Sequence, residues 1–509
     1  MQQTAPANPH FSRRRPGPRA VTAVAVAALA AGAAGCGGAP EETRRPAAAD
    51  APFAGIALAV RCPDPRLAGV LAPLAKTWAA RTGAAVEVTA GPMAPGDPAD
   101  VGVVPFADLG AWADRGELVP VPAAVKDPAH PYQWTGVPAA YRGEPFAGWG
   151  GQPFGLPLAG DGLVVAFRAD RLADPPTRDA FQAMYGRPLA APATWEDLAD
   201  AAAFFADRDK TPSLPPLAAD PGRLVRLHAQ IAACYDRAAQ GDAAPAGADP
   251  RGVESLAFQF RLADGRPRLD APAFVRAAGW FADLKKSGAM PPDGPADPVA
   301  ALAAGRAVFA VLTFDDVARL NGGTGRVDGR YGIAPAPGTR GYFDPKTGQF
   351  VAAAGNYVPH LAGGWLGVVR ARSAHPEAAF DLLADLGGPA RSVEVLAATG
   401  YGPFRDAHFD RERLLAWYGY GFDDGRTKAL QDAARSFVGK AVRNPTFGLR
   451  TPDQAALTAA LAAELERVAA GDASPADGMA RAAAAWATTS AAHPPEKVTE
   501  WRRKAAGLN

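Results

Sequence analysis

The chain has 509 residues, a length that predicts two or three domain-sized units. Hydrophobic residues make up 48% and charged residues 21%, a globular composition with enough apolar material for sizeable cores. The 53 Lys and Arg are balanced by 52 Asp and Glu, so no excess of charge favours nucleic acid or an anionic membrane surface as a partner.

The N-terminal segment has the pattern of an export signal. Four arginines between positions 13 and 19 precede an apolar run, Val21 to Ala34, which is too short to span a bilayer. Small residues then lead directly into Cys36, an order that resembles a bacterial lipobox, although Ala33 stands where that motif usually has Leu. We predict a signal peptide over residues 1–35, with cleavage before Cys36 and acylation of its thiol and new amine, which would anchor the protein to a membrane. An ordinary signal peptide with an incidental cysteine, or twin-arginine export, are the alternatives.

Two further cysteines, Cys62 and Cys234, complete the total of three. They follow a predicted strand and lie in a predicted helix, respectively. A disulfide and two buried free thiols are both compatible with an exported protein. The chain has no CxxC motif or Cys/His cluster, so we predict no metal site.

The elements after the signal alternate between strand and helix. Residues 36–52 read as a lipidated cysteine followed by a flexible tether, and the globular part is expected to begin at Phe53. Strands are predicted at 56–60, 86–88 and 100–104, with apolar residues at helical spacing between them. This order predicts a mostly parallel sheet covered on both faces.

Helix starts are well marked farther along the chain. Thr194 to Asp197 resembles a capping box, and Ser474 is followed by Pro475 at the first helical position. Segments 211–250 and 321–362 are rich in Pro, Gly, Ala and Asp and are predicted to be long loops. The tail 493–509 is predicted to be a polar, loosely packed C-terminal extension.

Several short stretches in chain order carry a family resemblance. The most informative is FGLPLAGDGLVVAF at 154–167, in which Gly162 follows Asp161 where relatives often have Pro. The others are 78–83, 99–104, 116–120, 192–198, 303–308, 331–338, 363–365, 375–380 and 401–405. In this order they resemble the family 1 extracellular solute-binding proteins, the maltose-binding-like components of ABC importers.

The resemblance implies an α/β, two-lobe fold of the periplasmic-binding-protein type II kind, with strands crossing between the lobes and a ligand cleft. It places lobe 1 at 53–162 plus 366–404 and lobe 2 at 163–365 plus 405–492. The implied function is a lipid-anchored, monomeric substrate-binding protein outside the cytoplasm, which captures a sugar or similar polar solute by hinge closure and delivers it to ABC permease subunits. Neither a cofactor nor nucleic acid is expected as a partner.

Ligands of open α/β sheets bind beyond the carboxyl ends of strands, and this rule together with the resemblance selects the candidate residues. Aromatic side chains would stack on the C–H faces of a sugar ring, and carboxylates would accept hydroxyl hydrogen bonds. The stacking candidates are Phe314, Trp365 and Tyr401, the acceptors are Asp64, Asp161 and Asp315, and the remaining candidates are Phe106, Trp195 and Arg405. Arg405 would pair with an acidic substituent. Purely structural roles stay open for four of these: Trp195 as a helix cover, and Asp161, Tyr401 and Arg405 at the hinge.

Two other functions fit the same residues. A lipid-anchored sensor or adaptor would share the fold and the cleft. A secreted glycan-active enzyme would use a carboxylate pair such as Asp315 and Asp316, but neighbouring residues point in different directions and no G-x-S-x-G or H-E-x-x-H motif is present. We therefore predict no catalytic residues.

Overall fold

A computed structural model describes residues 51–217, 220–239, 256–291, 297–322, 330–345, 347–410, 423–438 and 444–509, together with 413, 417 and 420. The predicted signal peptide, Cys36 and all but the end of the tether lie outside the described residues. The described residues belong to one unit, 49–509.

The strands occur throughout this unit, and most are short. They are β1 (Ala57–Cys62), β2 (Ala85–Ala90), β3 (Val101–Pro105), β4 (Gly148–Trp149), β5 (Gln152–Pro153), β6 (Gly155–Ala159), β7 (Leu163–Arg168), β8 (Phe309–Thr313), β9 (Tyr331–Pro335), β10 (Thr339–Phe343), β11 (Phe350–Asn356), β12 (His360–Leu361), β13 (Trp365–Val369) and β14 (Thr446–Phe447).

The helices cover the sheets and form the C-terminal part. They are α1 (Pro65–Thr82), α2 (Leu109–Asp114), α3 (Ala123–Lys126), α4 (Ala139–Arg142), α5 (Glu144–Ala147), α6 (Ala169–Ala173), α7 (Pro175–Tyr185), α8 (Trp195–Asp209), α9 (Pro221–Asp236), α10 (Pro272–Lys286), α11 (Pro298–Ala303), α12 (Phe314–Gly322), α13 (Pro376–Gly387), α14 (Arg391–Thr399), α15 (Asp424–Val438), α16 (Gln454–Ala470), α17 (Pro475–Ser490) and α18 (Pro495–Ala505).

The first lobe is built on a five-stranded sheet in the order β2-β1-β3-β13-β6. The pairs β1–β2 and β1–β3 are parallel, whereas β13 runs antiparallel to both β3 and β6. Along β1, Leu58, Val60 and Cys62 are buried at alternate positions and join the core beneath α1.

The second lobe contains a three-stranded sheet in the order β8-β7-β9, and both pairings are antiparallel. Both faces of β7 are covered, because Leu163 and Val165 enter one hydrophobic core while Val164 and Ala166 enter another. The prediction of a mostly parallel sheet therefore holds for the first sheet, where only β13 is reversed, and not for the second. Strands that enter a sheet from the other lobe reverse direction, which strand–helix alternation along the first hundred residues could not show.

Short connections join the first sheet to strands of the second lobe. Residues 160–162 link β6 to β7, and residues 362–364 link β12 to β13. Gly160 and Gly402 pair through two backbone hydrogen bonds of 2.9 and 3.1 Å. A Cβ at Gly402 would lie 2.9 Å from the backbone of Asp161, so only glycine permits this close approach.

The C-terminal segment is an ordered part of the fold. Residues 493–509, expected from the sequence to pack loosely, contain α18, whose Val498, Trp501 and Arg502 are buried. Most of its polar residues lie outside the buried face, and the one buried arginine, Arg502, has a buried carboxylate partner in Asp453.

Cys62 and Cys234 are free and buried in the separate cores of the two lobes. Burial raises the pKa of each thiol to about 12, which keeps both protonated and unreactive at neutral pH. No helix within the described ranges combines the length and the apolar character needed to cross a bilayer.

Candidate functional site

Three of the predicted residues form one polar cluster with Arg66. Asp64 caps α1 by accepting a hydrogen bond from the Leu67 amide at 2.6 Å, and its second oxygen accepts from the Tyr401 hydroxyl at 2.7 Å. The Arg66 guanidinium lies 4.5 Å from the centroid of the Tyr401 ring and donates to Asp315 at 3.3 Å. Since α1 belongs to the first lobe and α12 to the second, the cluster joins residues of both lobes.

The neighbouring carboxylates of Asp315 and Asp316 have different surroundings. The Asp315 side chain is 30% exposed and accepts from the Thr313 hydroxyl at 2.6 Å. Asp316 is buried against Arg223 at 2.7 Å; burial raises its pKa, but the hydrogen bonds from Arg223 and Thr313 outweigh that effect and the pKa is lowered. Asp315 is therefore accessible to a solute, whereas the Asp316 carboxylate is buried and occupied by Arg223.

Asp161 lies in the connection between β6 and β7 and is held from several sides. Its carboxylate accepts from the Gly162 amide at 2.7 Å and pairs with Arg226 of α9, and its backbone carbonyl accepts from the Tyr141 hydroxyl at 2.9 Å. Burial raises the pKa of the Asp161 carboxyl, and the Arg226 guanidinium opposes that rise. Asp161 thus connects the crossing segment to the start of α9.

Trp365 stands at the start of β13, where the chain re-enters the first sheet. Its ring is half-buried and meets the Tyr401 ring edge to face, with centroids 6.3 Å apart. Tyr401 stays a neutral hydrogen-bond donor, because burial and the bond to Asp64 both raise the pKa of its hydroxyl. Together they place a partly exposed aromatic surface beside the polar cluster.

The other four predicted residues are buried in the interior. Trp195 is 0% exposed and packs edge to face on Trp280, whose indole N–H donates to the Trp195 carbonyl at 2.7 Å. Arg405 is 1% exposed, because its guanidinium donates to the backbone carbonyls of Tyr132 and Gly387. These contacts are with the protein's own core and leave no surface for a solute.

The two buried phenylalanines have the same kind of environment. Phe106 stacks on Phe146 with ring centroids 4.5 Å apart, and Phe314 lies so close to Gly162 that a Cβ there would be 2.6 Å from its ring. Both are 1% exposed. A position directly after a strand places these side chains correctly along the chain, but does not decide whether they point into the cleft or into the core.

A cavity of about 180 Å³ lies where the two lobes meet, next to the Asp161–Arg226 pair. It is lined by Ala107 after β3, by Gly222 and Arg226 at the start of α9, by His360 of β12 and by Gln454 of α16. In the described part of the chain, none of the nine predicted residues lines it. The sequence signal that indicates Arg226 is the Asp220-Pro221 cap of α9, which lies inside segment 211–250, where the composition instead predicts a long loop.

His360 gives this cavity a neutral polar group. Its Nδ1 lies 2.9 Å from the Thr446 hydroxyl, and burial lowers the pKa of the imidazole to about 3. Burial also raises the pKa of Asp108, whose carboxylate accepts from Gln454 at 3.4 Å at the edge of the same region. The wall of this cavity thus combines an arginine, amide side chains and an uncharged histidine.

A larger cavity of about 370 Å³ adjoins the smaller one, and the two share Gln259, Gly448 and Leu449 in their walls. Its lining includes Phe258 and Phe260 from the second lobe and residues of α18. Among the described residues, no group of three or more His, Cys, Asp or Glu side chains could hold a metal ion.

A protein-family model described as a bacterial extracellular solute-binding protein matches residues 83–414. The match begins directly after α1 and runs beyond Tyr401, so it includes the second sheet and every strand of the first sheet except β1. The chain belongs to this family. Membership confirms the predicted resemblance, and implies an exported binding protein that works outside the cytoplasm. By sequence, no curated protein matches this solute-binding protein.

Solved structures share the fold of this solute-binding protein. The sugar-binding protein MalE from Xanthomonas citri superposes with a TM-score of 0.61 at 17% identity, covering 84% of this chain and 95% of that one. The cyclic alpha-maltosyl-1,6-maltose binding protein from Arthrobacter globiformis gives 0.60 at 15%, with coverage of 85% and 98%. The GacH receptor of Streptomyces glaucescens gives 0.57 at 16%, also with 85% and 98%. At these identities the similarity shows the fold, and it confirms the predicted two-lobe α/β architecture.

Proposed function

We propose that this protein binds a sugar or a similar polar solute between its lobes and delivers it to the permease subunits of an ABC importer. The observation that carries the proposal is the Asp64–Tyr401–Arg66–Asp315 cluster, to which both lobes contribute residues. The names of the similar solved structures support it, since they include maltose-binding and other sugar-binding proteins.

The residues at the cluster suit a neutral polyol. Carboxylates accept hydroxyl hydrogen bonds, and the half-buried ring of Trp365 offers a flat apolar surface on which a sugar ring stacks. Tyr401 is 8% exposed and Arg66 lies over its ring, so we propose that it supports the site through its hydrogen bond to Asp64. We keep Asp64, Asp161 and Asp315 as acceptors. We remove Phe106, Trp195, Phe314 and Arg405 from the proposed site because their side chains are 0–1% exposed and packed in the core.

Hinge closure is the proposed mechanism of capture. A solute that contacts both lobes shifts an open–closed equilibrium by its preference for the closed form. The Arg66–Asp315 pair also joins the lobes, but its side chains are 36% and 30% exposed, and such pairs contribute about 0–1 kcal/mol. A shift from mostly open to mostly closed needs about 5.5 kcal/mol, so the solute has to supply most of it.

A sugar and polyol library, screened by thermal shift on the soluble chain 37–509, tests this function. A solute at a hundredfold excess over its Kd should stabilise the protein by about 2.7 kcal/mol, and X-ray scattering should show a smaller radius of gyration on binding. Asp64→Asn should weaken the binding of that solute, whereas Asp127→Asn, outside the cluster, should leave its affinity unchanged. Conversion of a glycoside without any compaction would favour the enzyme alternative.

Lipid anchoring is a separate part of the proposal and rests on Cys36 in its small-residue context. Cells fed a labelled fatty acid should incorporate the label into the wild-type chain but not into a Cys36→Ser variant. An unlabelled wild-type chain, released from the membrane by high salt, would contradict the anchor and leave the binding function untouched.

A further inference from the structure

The two adjoining cavities differ in size and in chemistry. The smaller cavity, at about 180 Å³, is below the range of about 300–1,000 Å³ that is usual for small-molecule sites. The larger cavity, at about 370 Å³, falls within it, and both include Gln259, Gly448 and Leu449 in their walls. One elongated solute that extends along these three shared residues would occupy both cavities.

The smaller cavity offers hydrogen bonds that the protein does not use itself. Arg226 donates to Asp161 through Nη1, while its Nε and Nη2 have no hydrogen-bond partner among the described residues. His360 is 3% exposed, and Thr446 holds its Nδ1, which leaves Nε2 for a solute. Gly222, in the first turn of α9, also lines this cavity. These groups suit the hydroxyl-rich part of a solute.

The larger cavity offers mainly apolar surface, since its charged groups already have partners. Arg502 forms an ion pair with Asp453 at 2.6 Å, and Arg450 donates to the backbone carbonyls of Phe146, Gly148 and Ala505. The remaining walls include Phe258, Phe260, Leu262 and Pro145. Aromatic and aliphatic walls favour an apolar group over a second sugar ring with its many hydroxyls.

We infer that the solute is a glycoside with an apolar aglycone, whose sugar occupies the smaller cavity and whose aglycone occupies the larger one. The inference rests on the proposed function for the class of solute, a sugar, but it places that sugar in the smaller cavity and not at the Asp64–Tyr401–Arg66–Asp315 cluster, so Asp64→Asn tests the proposed function alone. It adds that the protein distinguishes such glycosides from the corresponding free sugars.

Matched pairs of probes test the inference by calorimetric titration of the chain 37–509. The probes are methyl and phenyl glycosides of glucose, galactose, mannose, xylose and maltose. For at least one sugar, the phenyl glycoside should bind at least tenfold more tightly than the methyl glycoside, because a phenyl ring leaves water for an apolar cavity.

Variants locate the binding difference in the larger cavity. Ala140 is half-buried in the cavity wall, so Ala140→Phe fills the space and should remove the phenyl preference while the methyl glycoside still binds. Ala124→Phe, at an exposed position outside the lining, should leave the preference intact. His360→Leu should weaken the binding of methyl and phenyl glycosides by the same factor.

The outcomes separate this inference from the proposed function. Equal binding of methyl and phenyl glycosides, or a phenyl preference that survives Ala140→Phe, would overturn the two-cavity inference and leave sugar binding in place. If no glycoside and no free sugar bound at all, the proposed function would fail, and this inference with it.

Discussion

Asp161 and Arg226 form the ion pair on which the connection between the two sheets depends. Each side chain is 16% exposed, so both charges have lost most of their contact with water. Breaking such a pair leaves one charge buried without its partner, which costs more than the intact pair contributes.

Asp161→Asn should therefore lower the free energy of unfolding by about 2–3 kcal/mol, somewhat less than for a fully buried pair. The matched control is Asp315→Asn, whose half-exposed pair with Arg66 should contribute less than about 1 kcal/mol. Urea unfolding of both variants measures the difference. Equal losses of unfolding free energy in the two variants would show that the burial of the Asp161–Arg226 pair does not determine its contribution to stability.

Three buried histidines make stability depend on pH. Burial lowers the pKa of His228 to about 4 and that of His360 and His408 to about 3, whereas an unfolded histidine titrates near 6.5. Because the folded-state pKa values are lowered, this stability is fully present above about pH 6.5 and is lost as pH falls towards 3.

We expect each of these histidines to reduce the free energy of unfolding by up to about 1.4 kcal/mol per pH unit below pH 6.5. Unfolding curves at pH 7.5, 6.0 and 5.0 measure the slope, and His408→Gln should reduce it by the share of one histidine. A stability that is flat over this range would contradict the prediction.

The C-terminal helix α18 is the element whose role the sequence least indicated. Arg502 and Asp453 are 1% and 3% exposed and joined by two hydrogen bonds, at 2.9 and 2.6 Å. Burial raises the pKa of Asp453, but the bonds and charge of Arg502 outweigh this and lower it. The pair attaches α18 to the start of α16.

Arg502→Met should destabilise the protein by about 3–5 kcal/mol, because it leaves the Asp453 carboxylate buried and unpaired. Arg503→Met, at the next position on a half-buried side chain, should change stability by no more than about 0.5 kcal/mol. Thermal unfolding of the two variants compares them directly. A small effect at Arg502 would mean that water replaces the lost partner.

At the scale of the molecule, α18 contacts both lobes. On the first lobe, Asp114 of α2 accepts from Trp501 at 2.9 Å and from Lys497 at 3.2 Å. On the second lobe, Arg502 reaches Asp453, and its guanidinium lies 3.9 Å from the centroid of the Phe260 ring. The helix therefore adds a connection between the two cores to those made by the short crossings, the Arg66–Asp315 pair and Arg450.

Scanning calorimetry of the chain 37–509 should accordingly show one cooperative transition. A chain that ends at His493 loses every contact of α18, so we expect two transitions or a van't Hoff enthalpy well below the calorimetric one. Retention of a single transition at the same Tm after truncation would show that the remaining connections between the lobes suffice for coupling. Ligand-free samples of both chains serve as each other's control.

The sequence by itself determined the local features and the family. The cap of α8 at Thr194, the cap of α17 at Ser474 and the succession of β1, α1 and β2 depend on residues a few positions apart, and the structure confirms them. The family followed from several motifs in order, each readable along the chain.

Only the tertiary structure decided which candidates meet. Asp64, Tyr401 and Asp315 converge from positions up to 337 residues apart, whereas Trp195 and Arg405, equally prominent in the sequence, face the core. Arg226, His360 and α18 acquire their roles from partners in distant segments. A side chain's position along the chain fixes which element carries it, but the packing of whole lobes fixes what that side chain faces.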